Sequence, residues 1–168
     1  MRIAVLLALT ASALSRAVAE AQTADPLQQM KSLAGEWQAD LPGYGQILDS
    51  IRLVSKGTAV EETLGTPNDN EVSLYTRDGK RLLLTHFCAL TSDGHVALLE
   101  TGALGGSPGR LEFTLVSVSN LHNKAAPHMR RVLITFLDRD HFSEQWTKTE
   151  KGVDTVFELS FSRRPSQP

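Results

Sequence analysis

Beyond residue 34 the hydrophobic positions of this chain stop following a helical period. Runs of four to ten residues rich in β-branched and aromatic side chains alternate instead with turn-forming clusters. The pattern predicts ten strands, near 35–40, 47–55, 58–64, 71–77, 81–90, 95–101, 110–118, 129–138, 141–149 and 154–162. The breaks fall at Lys56-Gly57, Pro67-Asn68-Asp69-Asn70, Asp78-Gly79, Ser92-Asp93-Gly94, Gly105 to Gly109 and Lys151-Gly152. One short helix precedes them, Pro26 to Leu33. Asp25 is placed to cap it, Pro26 suits its first position, and Leu27, Met30 and Leu33 fall on one face. Short links between successive strands imply antiparallel hairpins in a meander. Such a sheet hides its edges best by closing into a barrel, with a sandwich as the alternative. The fold class read from the pattern is therefore all-β, a single domain over residues 22–168.

Period-two alternation sorts the faces without saying which is inner. Val132, Ile134 and Phe136 share one face; Arg131, Leu133, Thr135 and Leu137 share the other. Thr155, Phe157, Leu159 and Phe161 oppose Val156, Glu158 and Ser160, and the 81–90 stretch is apolar on both sides.

The N-terminus changes the picture of where this domain works. Met1-Arg2 is followed by an apolar run, Ile3 to Leu14, that is too short to span a bilayer but suits a signal-peptide core. Ala17-Val18-Ala19 and Ala19-Glu20-Ala21 both offer small-x-small cleavage sites, so residues 1–21 read as a signal peptide and the domain as periplasmic or secreted. Cys88 is the one cysteine, far from the cleavage region, which excludes a lipid anchor through this signal and an internal disulfide. The net charge of −2 becomes −3 on removal of residues 1–21, which leaves 15 basic against 18 acidic residues. The basic pairs Arg130-Arg131 and Arg163-Arg164 make no stripe, so nucleic acid is not an expected partner.

Three stretches together carry a resemblance. They are Leu33-Ala34-Gly35-Glu36-Trp37, Leu84-Thr85-His86-Phe87-Cys88-Ala89, and His128-Met129-Arg130-Arg131 through Phe136-Leu137-Asp138 with Glu144-Gln145-Trp146 after it. The Gly-x-Trp motif resembles the first strand of calycins, the superfamily of lipocalins and fatty-acid-binding proteins. With the Thr-His-Phe-Cys segment, the chain resembles an uncharacterised exported bacterial protein family with a lipocalin-like β-barrel, over most of residues 27–162. The resemblance implies a lipocalin-like fold holding a small, largely apolar ligand, and it implies that Trp37 packs across the closed barrel end against Arg or aromatic neighbours. It also shows a departure. Members of that family follow the Cys with an Asn-Gln-Pro-like stretch, whereas this chain has Leu90-Thr91-Ser92-Asp93-Gly94. If that stretch shapes the mouth, ligand choice differs here.

Candidate chemistry is sparse. His86 and Cys88 are two apart and so share a face, which suits a soft metal or a thiol with its base. Metal ligation would want a third and fourth ligand; His128 and His141 are the available additions, no zinc spacing matches, and the expectation is no metal. A buried strand Cys and a hydrogen-bonded strand His explain the pair as pocket lining. Glu144 and Trp146 share a face beside Phe142. If it is interior, desolvation raises the Glu144 pKa; if exterior, Glu144 is an ordinary solvated residue. Haem through a late histidine lacks its ligand, since no His follows His141, and no cofactor is expected. His95, beside a turn, and His122, in the 119–127 loop, are expected to be exposed.

The preferred reading is a non-catalytic binding barrel whose pocket takes in His86, Cys88, Glu144, Trp146 and His128, with few polar groups among inward apolar faces. The alternatives are an enzyme using His86, Cys88 or Glu144, and an interaction protein with a filled barrel. Export predicts a mature N-terminus between Glu20 and Ala24. N-terminal sequencing of the exported protein checks this, and a chain beginning at Met1 contradicts it.

Overall fold

The computed structural model describes residues 25–66, 69–91, 94–102 and 109–165. The expected signal segment, most of the glycine-rich stretch and the last three residues lie outside them.

Helix α1 (Pro26–Ser32) begins where capping chemistry places it. The Leu27 N–H donates to Asp25 Oδ1 at 3.0 Å, and Leu33 closes the helix one residue earlier than the sequence suggested. An ion pair from Arg77 to Asp25 ties the helix start to the sheet. Leu27, Met30 and Leu33 are buried, so the predicted face is the one that packs.

Ten antiparallel strands follow: β1 (Gly35–Leu41), β2 (Gly45–Val54), β3 (Ala59–Thr66), β4 (Asp69–Asp78), β5 (Arg81–Cys88), β6 (His95–Thr101), β7 (Arg110–Val118), β8 (His128–Phe136), β9 (His141–Glu150) and β10 (Val153–Arg163). Each pairs with its successor, and β10 returns to β1 to close a barrel. The closing seam is short, with Trp37 opposite Arg163 and Gln38 opposite Ser162. A sandwich is thereby excluded.

The closed wall settles the inner face of every strand. On β5 the inward set is Leu82, Leu84, His86 and Cys88, while Phe87 is 45 % exposed. On β8 Val132 and Ile134 face in, and on β10 Leu159 and Phe161 do. Met129 is buried as well, although it is three residues from Val132; a bulge between Met129 and Arg131 resets the alternation.

An up-and-down order sends alternate turns to opposite ends. One end carries α1 and is plugged by aromatics. Trp37 is fully buried, donates from Nε1 to the Leu33 carbonyl at 2.8 Å and meets the Phe142 ring edge-on at 4.8 Å. Phe142 stacks on Phe161 at 4.7 Å, and the Arg163 guanidinium lies 3.9 Å over the Trp37 ring. Arg163 Nη1 also donates to the Ala34 carbonyl at 3.1 Å. Gly35 adopts φ +145°, a backbone conformation that L side chains rarely take, and Arg163 Nη1 crosses where its Cβ would stand, which gives the Gly-x-Trp glycine its reason. The opposite end gathers the β5–β6, β7–β8 and β9–β10 connections.

Trp37→Phe keeps a buried ring but leaves the Leu33 carbonyl without its donor. Thermal or denaturant unfolding is expected to show a loss of about 1–3 kcal/mol. An unchanged midpoint would contradict this account of the plugged end.

Candidate functional site

The inward alternation of β5 and β9 places His86, Cys88, Glu144 and Trp146 inside the same wall, all buried. The His86 and Trp146 rings lie 4.7 Å apart, tilted by 39°. Trp146 Nε1 donates to Glu144 Oε2 at 2.9 Å. Of the two readings of Glu144, its position is interior. His128 is half-buried at the start of β8, with Nδ1 2.9 Å from the Ala126 carbonyl.

The interior is not sparsely polar, contrary to the expectation from sequence. Asp49 on β2, Glu62 on β3, Ser73 and Tyr75 on β4, and His95 and Thr101 on β6 are buried, as Glu144 and His86 are. The sequence carried the signal in Ile47-x-Asp49-x-Ile51 and Val60-x-Glu62-x-Leu64, where a carboxylate takes an apolar position of an alternating strand. His95 was expected to be exposed and is buried, because β6 begins at that residue and turns it inward. His122 is exposed.

The carboxyl groups form the deeper layer. Tyr75 donates its hydroxyl to Glu62 Oε2 at 2.8 Å. Both oxygens of Asp49, Oε1 of Glu62 and Oε1 of Glu144 find no donor. Glu62 and Asp49 stand close enough to Glu144 for their charges to act on its carboxyl. Burial, then the charges of Glu62 and Asp49, push Glu144 well above its ordinary pKa. Burial, then Glu62 and Glu36, do the same to Asp49. Tyr75 is likewise raised, by burial and by Glu62.

A second cluster lies toward the end opposite α1. His86 Nδ1 pairs with Ser73 Oγ at 3.0 Å. Its Nε2 is 3.2 Å from Glu71 Oε2, in a contact whose angle leaves no well-formed hydrogen bond. The Ala89 N–H and the Cys88 thiol donate to Glu71 Oε1 at 3.0 and 3.3 Å. Burial pushes Glu71 up, but the His86 imidazole, the Ala89 N–H and the thiol outweigh it and hold Glu71 below its ordinary value. Burial and the Glu71 charge push the Cys88 thiol up to about 12. A thiol so placed is protonated at neutral pH and is no ready nucleophile. Burial, then the neighbouring His86 and His128, lower the His95 pKa.

Next to this cluster is a cavity of 430 Å³ at the rim of β5 and β6, lined by Phe87, Cys88, His95, Val96, Ser119 and Asn120 among others. Of the five residues assigned to a pocket from sequence, Cys88 lines it. His86, Glu144 and Trp146 are packed behind it, and His128 lies on β8. No helix among the described residues is long and apolar enough to cross a membrane. No known family model matches the chain, and no curated protein matches it in sequence.

Glu144 gives a pH prediction. Because its folded pKa is raised, the native state holds a proton that the unfolded chain releases, so its contribution is complete at low pH and is lost as pH rises through the folded value. Glu144→Gln keeps an acceptor for Trp146 and a donor toward Glu62 but cannot ionise. Denaturant midpoints from about pH 5 to about pH 9 are expected to fall less steeply in the variant, which is the more stable protein at the alkaline end. A variant that parallels the native protein, or is less stable throughout, contradicts the assignment.

Proposed function

We propose that the protein is an exported lipocalin-like binding barrel that takes a small, largely apolar ligand at its open end rather than in its centre. The observation that carries this reading is the rim cavity, whose 430 Å³ is within the range of small-molecule sites. Its wall joins apolar Phe87 and Val96 to polar His95, Ser119 and Asn120, the mixture that holds an apolar body and orients a polar head. In the centre Tyr75, Leu84, Leu99, Phe113 and Trp146 are packed with almost no exposure. Thr91 and Gly94 border the same cavity, so part of the stretch that departs from the resembling family's pattern falls where ligand choice would be decided. An acid–base or thiol enzyme is the weaker reading, because the thiol beside the cavity is held neutral.

Titration with a neutral, environment-sensitive apolar dye tests the proposal. Native protein is expected to bind about one dye per chain, and Phe87→Ser to weaken binding roughly ten- to a hundredfold with an unchanged circular dichroism spectrum. Dye binding that ignores Phe87→Ser, or no binding by the native chain, overturns it.

A further inference from the structure

We propose that Glu71, His86, Cys88 and His95 form a site for a single zinc-class divalent ion at the open end of the barrel. The site goes beyond the small-ligand reading and does not depend on it.

Glu71, His86 and Cys88 offer an oxygen, a nitrogen and a sulfur that all lie within 4.8 Å of one another. Zinc bonds of about 2.0–2.3 Å at tetrahedral angles set neighbouring ligand atoms roughly 3.3–3.8 Å apart. The 3.2 Å from His86 Nε2 to Glu71 Oε2 is already close to that spacing, and the Cys88 thiol lies 3.3 Å from the other oxygen of the same carboxyl. Mixed nitrogen, oxygen and thiolate donors favour zinc over calcium or magnesium.

The supporting groups fit a metal site as well. Ser73 occupies His86 Nδ1, which leaves Nε2 as the free ligand atom, and Trp146 lies against the ring. A partner on the far nitrogen is what orients a ligating imidazole. The Ala89 N–H holds Glu71 Oε1 and leaves Oε2 directed at His86.

His95 is the independent sign. It stands directly opposite Cys88 in the β5–β6 ladder, is 3 % exposed and lines the rim cavity, yet neither ring nitrogen has a partner. An imidazole buried without hydrogen bonds is costly and calls for an occupant. A Glu71–His86 ion pair with a thiol donor would account for the other three residues but leaves His95 unexplained. His95 stands outside the group of three within 4.8 Å of one another, so as fourth ligand it completes the set by a movement of its ring from the facing strand. The expectation of no metal rested on the want of third and fourth ligands, and Glu71 and His95 supply them. On binding, Cys88 Sγ–H loses its proton to solvent and the thiolate bonds the ion, with no change of oxidation state.

The test uses the purified chain, without a histidine tag and stripped by chelator. Titrated with zinc alone, it is expected to bind one ion per chain with micromolar affinity or better. Cobalt(II) in its place is expected to give a thiolate-to-metal charge-transfer band, which reads Cys88 in the native protein without any variant. Cys88→Ser is expected to abolish that band, and His95→Ala to weaken zinc roughly 10- to 100-fold or more, with circular dichroism of each metal-free variant checking the fold. No stoichiometric zinc binding, or cobalt bound without the charge-transfer band, overturns the site. Unchanged zinc affinity in folded His95→Ala overturns the four-ligand assignment.

Discussion

The burial of three carboxyl groups without a balancing cation beside them is the constraint on which the interior depends. Asp49, Glu62 and Glu144 come from three strands and meet in a region with almost no access to water. No Lys or Arg is among the buried residues there to balance them. Three full charges so placed would cost more than the burial of the surrounding apolar surface returns. Burial and mutual repulsion raise the proton affinity of Asp49 and Glu144, which lowers that cost, while the Tyr75 hydroxyl donates to Glu62 and the Trp146 indole to Glu144.

That layer divides the barrel into two functional ends. Toward α1, the Trp37–Phe142–Phe161 stack and Arg163 make a dry plug that also anchors the short β1–β10 seam. Toward the opposite rim, Trp146 and His86 form the boundary between the neutral carboxyls and the Glu71–His86–Cys88 cluster. Beyond the boundary lies the rim cavity, where Cys88 and His95 join Phe87, Val96, Ser119 and Asn120. Sequence neighbours on β5 therefore do different work: Leu84 fills the core, His86 marks the divide, and Cys88 reaches the rim.

The architecture was legible because strand alternation and turn chemistry are local. Asp25-Pro26 marks the helix start, and the Gly and Asn clusters mark most of the turns, so strand limits shift by at most a few residues. What each wall position faces is not local. The 81–90 stretch is apolar on both sides, and closure alone assigns Phe87 outward and His86 inward. The bulge after Met129 changes the parity of β8 in a way no alternation rule anticipates. The site escaped for a related reason. Glu71 joins His86 and Cys88 from a neighbouring strand, and His95 faces Cys88 from the next, through register rather than motif spacing. His95 looks like a turn residue until its pairing with Cys88 is known, and Asp49 and Glu62 look like surface charges until their strands are closed.

The neutral carboxyl layer is the central claim, and infrared spectroscopy near neutral pH addresses it most directly. The native protein is predicted to show the carbonyl stretch of a protonated carboxylic acid, well separated from ionised carboxylate bands, with clear loss of intensity in Glu144→Gln. A native spectrum with no protonated carboxyl at neutral pH would contradict the account.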